Sequence, residues 1–374
     1  MLMSDTIFAQ KPAAASPAKY LKLIALSFQV HLPFFALAIA YAVMTYVLLA
    51  QIPSYKQVPI DGLLLGFITF SLPAGLVSVF LVRLAQFPTV VKPESPTKQM
   101  VADIVDLVKK PRWLVVGLPL LIAMTLFNKG MVELKPMIPL IKPFSWDQAL
   151  MQVDRTLHFG TDPWVLLHSL LGHDAITFAI NVLYNFWFLA LFGTFVWFGF
   201  SRKADAVRTQ FFLAYMLTWW LGGGVLAILF SSAGPVYYSN IGLSPDPYTP
   251  LMDYLHDVDK RLPIWSLLTQ QFLWDGYMGK GQALGISAFP SMHNASSLLF
   301  AFATWKLSRK VGIAFAVYSA IILVGSVHLG WHYAVDGYAG LLLAAACWWV
   351  SGPIARWHAN WASTRALNKE LDGL

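Results

Sequence analysis

Apolar residues in this chain run in blocks of helix length, separated by short stretches that carry proline, glycine and charge. A bilayer-spanning helix needs about 20 mostly apolar residues, and eight blocks approach that length: 21–50, 60–82, 113–131, 175–200, 210–231, 288–305, 313–330 and 334–352. The pattern predicts an all-α fold, a polytopic membrane helical bundle of about eight transmembrane helices. The first block is too long for the hydrophobic region of a secretory signal, and no small-residue cleavage site follows a short core. It is therefore expected to stay as a helix, kinked at Pro33.

Between the blocks, two polar segments stand out. Residues 132–174 carry Pro136, Pro139 and Pro143, then Trp146-Asp147, Asp154-Arg155 and Asp162-Pro163-Trp164, a mixture that predicts short helices in the headgroup layer. Residues 232–287 hold Gly234-Pro-Val-Tyr237-Tyr238, a proline-rich turn at 245–250 and a charged stretch from Asp253 to Arg261. Residues 1–18 read as a flexible cytoplasmic tail, and 353–374 as a cytoplasmic C-terminal tail.

Composition agrees with a lipid solvent: 57% of residues are hydrophobic and only 12% charged, against roughly a quarter charged in soluble domains. With both termini cytoplasmic, the 26 basic residues divide 18 to the inner face and 8 to the outer, the bias that orients membrane proteins. The net charge of +7 is spread through inner loops, which suits anionic lipid and argues against nucleic acid. Cys347 is the only cysteine, so an intrachain disulfide and a thiolate metal cage are both excluded.

Ionisable groups at membrane depth are costly and point to function. Two clusters qualify, Phe289-Pro-Ser-Met-His293 and His328-Leu-Gly-Trp-His332-Tyr-Ala-Val-Asp336, and the topology puts both on the non-cytoplasmic side. His332 and Asp336 are four apart and share a helix face. The carboxylate can fix one ring nitrogen and leave the other as nucleophile or base, although a mutually satisfied buried pair would show the same spacing. Ser291 is placed as a helix N-cap, with His293 in the first turn, where a phosphate is favoured by the free amides and the dipole and a histidine can protonate a leaving oxygen. Gly330 permits close approach to the backbone.

These motifs, with Gly234-Pro-Val-Tyr-Tyr238 and the Trp146-Asp147 and Asp154-Arg155 pairs, resemble the type 2 phosphatidic acid phosphatase superfamily, most closely its inositol phosphorylceramide synthase-like branch. The resemblance spans residues 113–352, a six-helix catalytic core to which 19–112 adds two N-terminal helices. It implies that His332 attacks phosphorus to give a phosphohistidine, that Asp336 orients it, and that His293 protonates the leaving group, with no metal or other cofactor. Membrane lipids are the implied partners: a phospholipid or lipid phosphate donor, and for a transferase a hydroxyl-bearing lipid acceptor, including a sphingolipid. Candidate substrate contacts are Ser291, Tyr237, Tyr238 and His328.

The chain departs from the hydrolytic members in two places. Ser231-Ser-Ala-Gly-Pro235 stands where they carry a Lys and an Arg-Pro, and Ser326 where they carry an Arg. Both departures favour head-group phosphotransferase over lipid phosphate phosphatase. Lys260, Arg261 and Lys280 are candidates for the missing positive charge, since a phosphoryl transition state needs electrostatic stabilisation. Lys135 and Lys142-Pro143 repeat the spacing of the missing motif but precede the fourth block, which reads as coincidence. A metal held by a His328, His332 and Asp336 stripe, and a non-catalytic lipid binder or transporter, are the remaining readings.

Overall fold

The computed structural model describes residues 17–52, 72–87, 92–109, 112–200, 205–281 and 284–372. The chain is an all-helical bundle. Among the described residues six helical segments are long and apolar enough to cross a membrane: Leu32–Leu49, Val115–Ile141, Asp174–Gly199, Ala206–Leu229, Arg309–His328 and Ala334–Ala359.

Among the described residues the eight predicted blocks give these six segments, for local reasons. The first block splits at His31 into α1 (Pro17–Val30) and α2 (Leu32–Leu49), with Pro33 in the first turn of α2, where its missing N–H costs nothing. Pro33 thus opens a helix and does not kink one. Most of the second block lies outside the described residues, and its described end is α3 (Leu72–Gln86). An amphipathic α4 (Pro96–Lys109) follows. The block at 288–305 yields a 14-residue helix, about 21 Å long, too short to span alone. The tail expected over 1–18 lies outside the described residues as far as residue 16.

Helix α5 (Arg112–Ile141) runs ten residues past its predicted end and takes Pro136 and Pro139 inside it. Two short helices follow, α6 (Asp147–Leu157) and α7 (Pro163–Leu171). The next span is broken at Phe186 into α8 (Asp174–Asn185) and α9 (Trp187–Gly199). Helix α10 (Ala206–Trp220) continues through a π-helical turn, Leu221–Leu226, to Leu229. The glycines there are packing contacts: a Cβ on Gly222 would lie 2.6 Å from Met292 and 2.7 Å from Leu343.

The second polar segment folds as a single 3₁₀ turn (Pro235–Tyr237), α11 (Thr249–Asp259) and α12 (Trp265–Tyr277). Three helices complete the core: α13 (Met292–Trp305), α14 (Arg309–His328) and α15 (Ala334–Ala359). Helix α13 packs on α10, α14 and α15, while α2 lies on α5 and α3 on α9. The described part of the expected C-terminal tail, residues 353–372, continues α15 and then forms α16 (Ala362–Asp372), whose Leu367 and Leu371 bury against Leu23 and Val30 of α1.

Candidate active site

Helix α14 ends in a Schellman closure. Gly330 adopts φ +74°, its amide donates to the Val327 carbonyl at 3.1 Å and the Trp331 amide to Ser326 at 3.0 Å, the pairing that terminates a helix with a left-handed residue. The closure places His332 in the turn, one residue before the Tyr333 cap of α15. His332 Nδ1 lies 3.3 Å from Asp336 Oδ2, and the same oxygen accepts from the Tyr333 amide at 3.1 Å. Asp336 is fully buried and His332 nearly so. Burial holds the His332 imidazole down at about 3, with a hydrogen bond to the Ala288 carbonyl opposing and the Lys135 charge assisting. The ring is neutral and keeps a lone pair at physiological pH.

Two aspartates of α6 position this turn. Asp154 accepts from the amides of Ala334 at 2.7 Å and Val335 at 2.8 Å, closing the N-terminus of α15. Burial pushes its carboxyl up to about 7 even though both amides favour the anion. Asp147 accepts from the Ala233 and Gly234 amides and, at 3.0 Å, from the Tyr333 hydroxyl; burial raises its carboxyl too. Gly234, at φ +100°, passes so close to the next segment that a Cβ would meet the Trp331 carbonyl oxygen at 2.8 Å.

The proton-donor side is built by the segment entering α13. The Ala288 amide donates to the Ser232 carbonyl at 2.9 Å, and the Phe289 amide to the Ser232 hydroxyl at 3.1 Å. Ser291 caps α13, its hydroxyl accepting from the Asn294 amide and side chain, while its own amide donates to the Asp336 carbonyl at 2.9 Å. His293, two residues on, has its ring centroid 6.4 Å from that of His332. Aromatic rings from the α8–α9 break enclose it, Trp187 at 4.3 Å and Tyr184 at 5.1 Å, and Trp331 stacks on Tyr184.

The fold therefore brings His293, His332, Asp336 and Ser291 together. It does not bring His328, whose ring bonds Thr177 at 2.9 Å and lies against His168, so the stripe His328, His332, Asp336 does not form. No cluster of three metal-ligating side chains is found among the described residues. Tyr237 is buried and its hydroxyl is used by the Gln270 carbonyl; Tyr238 is buried against Tyr248. Lys260 is exposed and bonds Asp257, Arg261 pairs with Asp174, and Lys280 is exposed. None of the three acts on the histidines.

Sequence reasoning missed four contributors, Asp147, Asp154, Tyr184 and Trp187. The carboxylates of Asp147 and Asp154 were visible, but their backbone partners lie about 85 to 180 residues away in sequence. Tyr184 and Trp187 carried no motif.

A family model described as the PAP2 superfamily matches residues 148–350. No curated protein and no solved structure matches the chain.

Proposed function

This chain belongs to the PAP2 superfamily, and on that premise we propose that it transfers a phosphoryl-linked head group from a phospholipid or lipid phosphate to the hydroxyl of an acceptor lipid. The reaction runs through a phosphohistidine on His332. The observation that carries the reading is the His332 Nδ1 to Asp336 Oδ2 contact with His293 facing it across 6.4 Å.

With Nδ1–H donating to Asp336, Nε2 of His332 keeps its lone pair and attacks phosphorus; the bond from phosphorus to the leaving oxygen breaks, and that oxygen takes the proton of His293. An arriving phosphate anion raises the proton affinity of the His293 ring beside it. The positive charge formed on His332 is offset by the Asp336 carboxylate. In the second step His293 takes the proton of the acceptor hydroxyl, whose oxygen attacks phosphorus and frees His332. The amides of Met292 and His293, at the start of α13, lie where a phosphate oxygen is favoured.

The choice of a lipid acceptor is supported by the aromatic wall of Tyr184, Trp187 and Trp331, which keeps water from the intermediate, and by Ser326 in place of a basic residue. One observation favours hydrolysis instead. A cavity on the order of one water molecule in size reaches His332 between Asp154, Trp164, Tyr248 and Tyr333. The basic bias of the predicted inner loops supports an active site on the non-cytoplasmic face, with residues 113–352 as the catalytic core and 19–112 as an addition.

The test is lipid mass spectrometry of purified protein in mixed micelles with chelator present, wild type beside His332→Ala. The micelles carry phosphatidic acid, isoprenyl phosphate, and phospholipid with a hydroxyl-bearing acceptor. A new lipid product lost in the variant is expected. Free phosphate with a dephosphorylated lipid would mean a phosphatase, and no product from any donor would leave a lipid binder; activity only without chelator would overturn metal independence.

A further inference from the structure

The α8–α9 break sends three consecutive aromatic residues in two directions. Phe186 and Phe188 are exposed within a membrane-spanning segment, and so face lipid, while Trp187 turns inward and is only 3% exposed. The Trp187 ring lies 4.3 Å from that of His293. Tyr184, the penultimate residue of α8 and 5% exposed, stacks on the same histidine at 5.1 Å and 20°. His293 itself keeps part of its surface accessible. The histidine therefore sits just inside a lipid-facing aromatic edge, and Trp and Tyr suit the depth where apolar chains meet polar head groups.

Neither the Trp187 indole N–H nor the Tyr184 hydroxyl has a hydrogen-bond partner among the described residues. A buried donor left unpaired is costly and calls for an explanation, and here two of them flank one helix break beside one histidine. Both can donate, and the indole can do nothing else, so the group they lack is an acceptor. What meets His293 in the reaction is the lipid oxygen that leaves phosphorus in the first step and the lipid hydroxyl that arrives in the second. In a diacylglycerol lipid the chain runs from that oxygen through two carbons and an ester oxygen to an acyl carbonyl; in an N-acyl amino alcohol it runs through two carbons and an amide nitrogen. With bonds of about 1.2–1.5 Å, the carbonyl oxygen stands within about 6 Å of the reacting oxygen. The Trp187 and Tyr184 rings stand at that range from His293.

We infer that Trp187 and Tyr184 form a site for a lipid acyl carbonyl, donating to it from the indole N–H and the phenol and so setting the neighbouring lipid oxygen against His293. They act as specificity-determining residues. Ester and amide lipids share the spacing, so one pair of donors serves the lipid that leaves and the lipid that arrives. Isoprenyl phosphate, which has no carbonyl, is then the poor substrate. The inference rests on the phosphotransfer reading for the part played by His293, but binding of uncharged lipid tests it without turnover.

Immobilised full-length protein in micelles is tested for retention of radiolabelled diacylglycerol, of its dialkyl ether analogue, which lacks only the carbonyl oxygens, and of an N-acyl amino alcohol lipid. Wild type, Tyr184→Phe and Trp187→Phe are compared, and kcat/KM is measured in parallel for diacyl and dialkyl forms of the phospholipid donor and for isoprenyl phosphate. Two neutral hydrogen bonds predict a wild-type preference for carbonyl over ether of roughly 10- to 100-fold, cut by roughly 3- to 10-fold in each variant, with the same change in the diacyl to dialkyl ratio of kcat/KM. A preference over the ether shown by the ester, the amide or both supports the site and identifies the lipid it holds. Equal retention of all three lipids overturns the inference, as does better turnover of isoprenyl phosphate than of the diacyl donor. Variants that weaken carbonyl and ether lipids by the same factor also overturn it and leave a packing role. A carbonyl preference lost in Tyr184→Phe, in a wild type that turns over no lipid, supports the site and refutes the enzyme. Tyr184→Phe removes one oxygen and keeps the ring on His293, so it carries the comparison should Trp187→Phe fail to fold.

Discussion

Gly340→Ala separates tertiary geometry from helix propensity. In the interior of a helix Ala is better than Gly by about 0.8–1 kcal/mol, so on sequence alone the substitution in α15 stabilises. The structure reverses the sign. A Cβ at residue 340 would stand 2.4 Å from the Ser291 carbonyl oxygen and 3.5 Å from the Ala295 amide. That contact has to open by at least about 0.6 Å to reach 3.0 Å, the lower edge of tolerable packing. Ser291 cannot yield alone, because its carbonyl accepts from Ala295, its amide donates to Asp336, and its hydroxyl caps α13. The adjustment is carried into His293 and Asp336. Overpacking of this kind costs about 1–3 kcal/mol, and misplacing catalytic groups by about 1 Å costs on the order of 100-fold in rate. Thermal unfolding in micelles and kcat for the accepted lipid are measured beside Gly199→Ala, whose nearest neighbour would be a comfortable 3.7 Å away. The expected result is a lower melting temperature and depressed kcat for Gly340→Ala alone. A Gly340→Ala protein that melts at or above wild type with full kcat refutes the reasoning.

Asp147→Ala leaves the Ala233 and Gly234 amides and the Tyr333 hydroxyl without their buried acceptor; at about 1–3 kcal/mol per orphaned group the loss is at least about 3 kcal/mol, read by chemical denaturation, and a near-neutral effect would disprove the role. Asp154 has its carboxyl raised to about 7 by burial, so the folded state holds a proton that the unfolded chain releases near 4; its contribution is present at low pH and fades as pH rises through 7. Wild-type stability should therefore fall relative to Asp154→Asn by up to roughly 1.4 kcal/mol per pH unit between about 4 and 7, and parallel pH curves would contradict this. Arg261→Ala breaks an exposed pair with Asp174 and is expected to leave turnover within about twofold, as exposed ion pairs contribute little; a loss of roughly tenfold or more would return Arg261 to the site.

Much of the site was legible because its signals are local. Ser291 as cap, His293 in the first turn, and the four-residue step from His332 to Asp336 follow from helix geometry over a handful of residues. Gly330 was visible as a place of close approach, and the Schellman closure it makes is the reason that His328 and His332 part company. That parting removes His328 from the site. The misjudged cations show the opposite case. Lys260, Arg261 and Lys280 share a segment with the catalytic loop, yet exposure and nearby carboxylates claim the first two and solvent the third.

By itself the sequence determined the solvent, the helical class and the candidate reacting groups, because apolar block length, low charge and short-range spacing are properties of the chain as written. Among the described residues the tertiary structure decided where spans begin, since a cap at Ser291 and a break at His31 shorten helices that hydropathy alone runs on. It also decided which residues enclose the two histidines. Hydrogen bonds and ring contacts act only within a few ångströms, and only the packed bundle sets which of 374 residues come that near: the α6 aspartates to the start of α15, and Tyr184 and Trp187 to His293.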